Sequence, residues 1–416
     1  MTPGVPAAPG VRGVPAAPGV RGVPAAVVGV GMSHFRTRRD DEDLMGLLQE
    51  GTELALGDAG LDMADIDAIV LSQSPDALHG IGHPEQAAAA ALAAAGKPVL
   101  RVHTGGATGA SAFQVGWWAV ASGRFASVLV TGAEKMGDAL QPAQVPLNMI
   151  WDPAYETGLP LNTIAMTALA AVRYMDRFGA TEEDYAVVAE RLRSNGAGNA
   201  HSHLRIPISA KEVMATPVLC WPLRLAMCCP QTSGGCAVVI QSAERARRLS
   251  APAAWVRGVA ARSNTYFMGD KMGDCGPNDH ATPYELHLAA TEAYGMAGIT
   301  DPTSQIHVAE PYVPFASMEA PMLEALGVCG PGEGFRLAGE GTFDLDGRLP
   351  VCPSGGVMCT NPISVTALVR MAEAAQQVRR RAGDHQVDRA DVAVATGVGG
   401  SIQFYVVGVF GKEAPA

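Results

Sequence analysis

Aromatic side chains are scarce in this 416-residue chain, at 6%, and charged ones reach only 17%. Large rings are too few to fill the core of a β-sandwich. The 48 glycines, with many alanines, fit tightly packed α/β layers instead. Positive charge is not in excess: 30 Lys and Arg face 41 Asp and Glu, a net charge of −11. That balance removes the usual reason to bind nucleic acid or an anionic membrane. An acidic ligand would have to be met by a local group of Arg and Lys. No apolar run is long enough to span a bilayer, and the N-terminus lacks the regions of a secretory signal, so a cytoplasmic location is expected. Cysteine is absent before Cys220. The eight present form no C-x-x-C pair, so no structural zinc or other metal site is expected, and their scatter suits reduced thiols.

What is there divides the chain. Residues 1–26 hold the unit VPAAPGVRG at 5–13 and again at 14–22, a low-complexity tail too rich in Pro and Gly for packed structure. From Val27 strands and helices alternate: a strand at 27–31, an amphipathic helix over 41–59, a strand at 66–73 and a small-residue helix over 84–95. A strand at 99–102, a glycine-rich turn at 104–109, a helix over 110–121 and a buried strand at 126–131 follow. This alternation predicts a mainly parallel sheet with helices on its faces. Between about Gly137 and Gln231 the pattern breaks into a proline-bearing covering segment. It holds helices at 163–178 and from Thr181, an N-cap with Asp184 three residues on. Strand 236–240 closes a first half, 27–250. The second half, 251–416, repeats the plan with strands at 254–260, 305–310, 391–396 and 402–410 and helices at 284–297 and 364–380. Residues 341–351 read as a connecting hairpin.

The stretch 98–138 organises the rest. It is a strand, a glycine turn and a helix, the kind of elbow that lets backbone approach a ligand closely. Its turn, His103-Thr104-Gly105-Gly106-Ala107-Thr108-Gly109-Ala110-Ser111-Ala112, resembles the nucleophile elbow of thiolases. The likeness is greatest to the sterol-carrier-protein type and its lipid-transfer-protein relatives, where the turn reads roughly N-G-G-C-A-T-G-S-S-A. Gly106 stands where that family keeps its cysteine. The resemblance continues in Gly132-Ala133-Glu134-Lys135-Met136, in Thr232–Ile240 and in Glu310-Pro311-Tyr312-Val313-Pro314-Phe315. It ends in the run from Ser354 to Thr366 and in the glycine loop 397–400. It implies a thiolase fold, with two similar βαβαβαββ halves in a layered α-β-α-β-α arrangement and an inserted covering loop domain.

The resemblance also implies where chemistry would sit, and there the chain departs from the pattern. Thr104, Thr108 and Ser111 are the only hydroxyls at the elbow, and none attacks easily without an adjacent base. Tyr312 takes a histidine's place and Pro314 a cysteine's. A phenol serves as acid or base once its pKa is tuned, and Glu310 or Glu319 could interact with it. Asn361 replaces the histidine of a His-Pro pair; it can donate to an oxyanion but cannot take a proton. Cys359 beside it is the best free thiol for a relocated nucleophile. His103 could polarise a carbonyl or take a proton. Glu134 resembles a buried structural acid. Gly105, Gly106, Gly356, Gly399 and Gly400 are the glycines expected to shape an oxyanion and substrate site. Arg205, Lys211 and Lys271 are candidates for CoA phosphates.

Without a thiolate the expected activity is carbon–carbon bond making or breaking, a (retro-)aldol reaction of a β-hydroxyacyl-CoA, with Tyr312 as acid/base and the elbow as oxyanion cradle. Acyl transfer through Cys359 or a partner's group is an alternative, as is a non-catalytic acyl-CoA-binding or scaffolding subunit. No cofactor is expected besides the CoA thioester as substrate. The resemblance further implies a homodimer packed through the elbow strand and helix, and a small OB-fold/zinc-ribbon protein as partner.

Overall fold

The computed structural model describes residues 22–74, 76–273 and 279–415; the repeats through residue 21 lie outside them. The strands are β1 (Ala25–Met32), β2 (Ala68–Ser72), β3 (Val99–Val102), β4 (Ser127–Lys135), β5 (Val218–Cys220), β6 (Leu223–Arg224), β7 (Ser233–Ser242), β8 (Ala254–Ser263), β9 (Val308–Glu310), β10 (Val392–Gly399) and β11 (Phe404–Gly411). The first begins at Ala25, so the last two residues assigned to the tail belong to the fold. Nine strands make one sheet in the order β3-β2-β4-β7-β1-β8-β11-β10-β9, and β5 and β6 pair apart from it.

The halves meet at an antiparallel seam, where Ala26 pairs with Trp255 and Val27 with Ala254. Counted outward from that seam, β1-β7-β4-β2-β3 on one side answers β8-β11-β10-β9 on the other. Beyond β9 a parallel bridge from Ala309 to Val351 stands in for a fifth strand. One topology is thus used twice. The sheet is mixed rather than mainly parallel: β2 runs parallel to β3 and β4, and β9 to β10, while β7 and β11 oppose their neighbours. The short link 400–403 between β10 and β11 can only turn the chain back on itself, whereas a parallel pair needs a long crossover.

Helices build five layers. Helix Leu44–Ala59 lies on β1, where a Cβ on Gly29 would stand 2.2 Å from the Ala55 carbonyl oxygen. Helix Tyr284–Ala297 lies on β8 in the same way, a Cβ on Gly258 falling 2.2 Å from the Ala293 oxygen. Between the two half-sheets run the elbow helix Thr108–Ala121 and helix Ile363–Arg379, close enough that a Cβ on Gly109 would meet the Leu368 nitrogen at 2.2 Å. These contacts need glycine, because any side chain would push a helix off its sheet or its partner.

The covering segment crosses the end of the sheet at which β3, β4 and β10 finish. Helices Thr163–Phe178 and Glu182–Gly198 are its frame. The second starts at Thr181, whose hydroxyl accepts from the Asp184 N–H while the Asp184 carboxylate accepts from the Thr181 N–H. Residues 341–351 form no ladder. Two backbone bonds, Leu349 N–H to Thr342 and Val351 N–H to Phe343, close a series of turns, with Gly341 at φ +77°. No helix among the described residues is long and apolar enough to cross a membrane.

Candidate active site

The elbow forms where the sequence places it. β3 ends at Val102, Gly105 turns the chain at φ +63°, and the helix begins at Thr108. The Thr108 hydroxyl accepts from the Thr104 N–H at 2.9 Å and donates to the Gly105 carbonyl at 2.5 Å, a local clasp that fixes the turn. Thr104 and Ser111 hydroxyls pair at 2.7 Å. These three hydroxyls bond one another and the turn, with no basic side chain among their partners, so nothing activates them. The terminal glycine loop lies directly on the elbow. A Cβ on Gly399 would be 2.0 Å from the Thr104 oxygen, and one on Gly105 would be 2.8 Å from the Gly400 nitrogen. Each loop requires glycine in the other.

Above the elbow opens a cavity of about 650 Å³, the size of a small-molecule site. His103, Gly105, Gly106, Tyr312, Asn361, Gly399 and Gly400 all line it, so seven of the sequence candidates come together. Its roof and far wall are apolar and come from the covering segment: Leu147, Ile150, Ile164, Ile208, Leu219 and Leu225.

Gly106 and Tyr312 are complementary. A Cβ on Gly106 would sit 2.6 Å from the Tyr312 hydroxyl and 2.6 Å from the Val398 carbonyl oxygen. The space that the family's cysteine side chain would need is therefore held by the phenol. The Tyr312 backbone N–H donates to Thr396 Oγ1 at 2.9 Å, which anchors the residue at the end of β9. Among the described residues its hydroxyl has no hydrogen-bond partner. Burial pushes that phenol far above its ordinary pKa, with the nearby Cys229 thiol adding to the effect. It is a neutral proton donor. His103 carries the opposite shift: burial, helped by Arg101, holds it below the ordinary imidazole value, so its ring is a neutral acceptor at pH 7. A phenol held protonated and an imidazole held neutral thus face the same cavity.

The third polar face joins Asn361 to a residue that the sequence did not single out, Cys229. Asn361 donates from Nδ2 to Cys229 Sγ at 3.1 Å and accepts from Thr366 Oγ1 at 2.9 Å through Oδ1, which fixes the orientation of its amide. Cys229 lines the cavity, and its backbone N–H bonds the Pro314 carbonyl, two residues beyond Tyr312. Burial pushes its thiol up to about 12, against the pull of the Asn361 amide. The Cys228-Cys229 pair sits just before Thr232-Ser233-Gly234-Gly235, and that adjacency to a recognised motif was the available signal.

Other candidates lie elsewhere. Cys359 is fully buried and faces away from the cavity, its Sγ against the Leu192 carbonyl at 3.3 Å and its thiol pushed up to about 12 by burial. The chain between Gly356 and Asn361 turns it under helix Glu182–Gly198, so it is not a relocated nucleophile. Gly356 is buried too, with its N–H on Ser354 Oγ at 3.1 Å, and contributes no oxyanion donor. Lys271 cannot meet a phosphate: it is buried, with Nζ on the Ser401 carbonyl at 3.0 Å and Ser401 Oγ at 3.1 Å behind the glycine loop. Lys211 is exposed on helix Ala210–Ala215, and Arg205 is exposed beside it in the chain. Glu310 is paired with Arg370 and Ser354, and Glu319 with Arg191, so neither bonds the Tyr312 hydroxyl. Glu134 is buried and accepts from Gln73, the Ser74 N–H and Ser364 while contacting His79, tying the two halves together.

Comparison with known proteins bears on this arrangement. Residues 25–211 match the family described as thiolase, N-terminal domain, and 277–412 that described as thiolase C-terminal domain-like. A steroid side-chain-cleaving aldolase of Thermomonospora curvata is 30% identical over 90% of this chain and 95% of its own length. An acetyl-CoA acetyltransferase of Methanothermobacter thermautotrophicus is 28% identical over 93% of this chain and 99% of its own. The solved Ltp2-ChsH2(DUF35) aldolase superposes with a TM-score of 0.79 at 26% identity, covering 94% of this chain and 99% of that one. Both family matches, the doubled sheet and the glycine elbow agree, and the chain is an enzyme of the thiolase superfamily.

Proposed function

We propose that this enzyme is a carbon–carbon lyase that cleaves a β-hydroxyacyl-CoA by a retro-aldol reaction, without an acyl-enzyme. The observation that carries this reading is the Tyr312 hydroxyl, which fills the thiol's place against Gly106 and has no hydrogen-bond partner among the described residues. In the reaction a base takes the β-hydroxyl proton, the Cα–Cβ bond breaks, and its electron pair passes into the thioester as an enolate. The enolate is then protonated at Cα, giving an acyl-CoA and a ketone or aldehyde. His103, a neutral acceptor, suits the first proton transfer. Tyr312, kept protonated by burial, suits the second, with the Gly105–Gly106 backbone beside the enolate oxygen. The aldol direction uses the same groups in reverse. The aldolase relatives support this reading.

The acetyltransferase relative favours acyl transfer as the second reading. With Cys359 turned away, the thiols that line the cavity are Cys228 and Cys229, and Cys229 is the one bonded to Asn361. Incubation with a β-hydroxyacyl-CoA and analysis by mass spectrometry separates the two. The lyase reading expects released carbonyl product and acyl-CoA, lost in Tyr312→Phe, with no mass added to the protein. An acyl adduct on Cys229 overturns it.

Two assembly partners belong to the same proposal. β3 is the sheet's edge, and Leu100 on it and Trp118 on the elbow helix are 55% and 53% exposed, which suits a homodimer formed through this strand and helix. The solved Ltp2-ChsH2(DUF35) aldolase supports a second, DUF35-type subunit, in the place expected of an OB-fold/zinc-ribbon partner. Light scattering of the chain alone and with such a subunit tests both.

A further inference from the structure

Many basic residues of this acidic chain are neutralised by carboxylates, and two that are not face one groove. In the run Arg36–Glu42, Arg38 pairs with Asp40 and Asp138, and Arg39 with Asp41 and Glu50. Arg36 has no carboxylate within ion-pair distance among the described residues, and neither has Arg205. Both line a groove of about 280 Å³, separate from the cavity, together with His34, Phe35, Ser202 and His203.

This groove is a rigid construction. The Phe35 N–H bonds the His201 carbonyl at 3.0 Å, and Arg36 and Ser233 exchange two backbone bonds of 3.2 and 2.7 Å. On the other side the Leu204 N–H bonds the Cys359 carbonyl at 3.0 Å, and the His203 N–H bonds Thr360 Oγ1 at 3.1 Å. The imidazoles are fixed as well. His34 and His201 stack with ring centres 5.4 Å apart, His34 Nδ1 lying 3.3 Å from the Ala200 carbonyl and His201 Nδ1 3.2 Å from the Ser33 carbonyl. A carbonyl only accepts, so each Nδ1 carries hydrogen and each Nε2 is left for another partner. Two guanidinium groups without a carboxylate partner and the His34 imidazole, backed by His201, on a preformed concave surface match the acceptor oxygens of a phosphate, while His203 is held in the wall by its bonds to Thr37 and Thr232.

We propose that the groove between 34–36 and 201–205 is a phosphate-binding site, for a phosphate monoester on a larger molecule or for free phosphate. Leu204 lines the reaction cavity while its neighbours His203 and Arg205 line the groove, so one extended segment is the wall between them. His203 also reaches the cavity's polar face: its Nδ1 lies 2.9 Å from Thr232 Oγ1, the same oxygen that accepts from the Asn361 N–H at 3.1 Å. An occupied groove would thus hold the segment that carries Leu204 and the support of Asn361.

Calorimetric titration of the full chain with inorganic phosphate and with adenosine 3′,5′-bisphosphate tests this without needing turnover, so it stands apart from the lyase reading. Binding of one or both is expected. Arg36→Ala and Arg205→Ala should each weaken it about tenfold, the effect of one lost charge-assisted hydrogen bond. Arg38→Ala, which removes a paired arginine, should leave it unchanged. If the phosphate belongs to the substrate, the same variants raise KM for a CoA thioester at constant kcat and leave the corresponding pantetheine thioester untouched. If it is free phosphate, inorganic phosphate binds and KM does not move. The proposal is overturned if neither probe binds the wild-type chain, or if both bind the Arg36→Ala/Arg205→Ala variant as well as the wild type while its melting curve is normal.

Discussion

The elbow after β3 has a counterpart in the second half, the turn 352–362 that follows the Val351 bridge and leads into helix Ile363–Arg379. Both turns hold a left-handed glycine before a helix of the central layer: Gly105 at φ +63° in one, Gly355 at +88° and Gly356 at +63° in the other. Yet Gly105 and Gly106 line the cavity, while Gly355 and Gly356 are sealed from it. Asn195 bonds the Val351 and Cys352 carbonyls and Asn199 bonds that of Ser354, so helix Glu182–Gly198 closes over Gly355 and Gly356. The covering segment belongs to the first half alone, and it roofs one turn at a distance while packing onto the other. Duplicating a fold therefore did not duplicate a site. At the cavity floor the second half supplies the Tyr312 and Asn361 side chains beside the Gly399–Gly400 loop, where the first half's elbow supplies Gly105, Gly106 and the His103 ring.

The sharpest break of that comparison removes the side chain. Tyr312→Phe should lower kcat about 10²- to 10⁴-fold, the usual worth of a positioned acid or base. Since the hydroxyl has no hydrogen-bond partner among the described residues, the melting temperature should stay within about 2 °C. The equivalent glycines come next. Gly106→Ala drives a methyl to 2.6 Å from the Tyr312 hydroxyl and the Val398 oxygen and should cost about 10²-fold in turnover. Gly356→Ala meets Cys352 Sγ at 2.8 Å in a left-handed backbone. It should lower stability by about 1–3 kcal/mol while the folded fraction keeps its kcat. Denaturant titration beside steady-state kinetics distinguishes a site glycine from a packing glycine.

A pH profile addresses His103. Its pKa is held below the ordinary imidazole value, so the base is neutral at pH 7 and is lost as pH falls through that lowered value. The acid limb of kcat/KM should therefore lie below about pH 6.5. The alkaline side should be flat through pH 9, because the Tyr312 phenol stays protonated there. His103→Gln should remove the acid limb along with most of the activity.

How far such features were legible depends on how locally they are encoded. The elbow, the Thr181 cap and helices Thr163–Phe178 and Tyr284–Ala297 follow from short patterns, and they stand where those patterns put them. Strand direction is not encoded so locally, because alternation of strand and helix says little about which neighbours β7 and β11 oppose. At the site, Tyr312 and the glycine pairs were found through motifs in order along the chain. Closeness to Asn361 along the sequence favours Cys359, whereas closeness in space belongs to Cys229. One residue separates Cys359 from Asn361, but the turn at Gly355–Gly356 sends that thiol under a helix. More than a hundred residues separate Cys229 from Asn361, and the two side chains touch.

Those two thiols give the mildest and most discriminating prediction. Cys359→Ala removes a buried sulfur bonded to a backbone carbonyl of the covering helix. It should cost about 1 kcal/mol of stability, as core truncations of this size do, and leave kcat/KM alone. Cys229→Ala frees the Asn361 amide at the cavity wall and should change kcat/KM several-fold, with a smaller change in stability because the sulfur faces the cavity. Both thiols are held protonated by burial, so alkylation of the native enzyme will be slow at each. It should still reach Cys229 through the open cavity before Cys359, and bound acyl-CoA should protect only Cys229. Equal protection of the two would mean that the covering helix moves with the substrate, and the contrast between an open turn and a sealed one would then describe the resting enzyme alone.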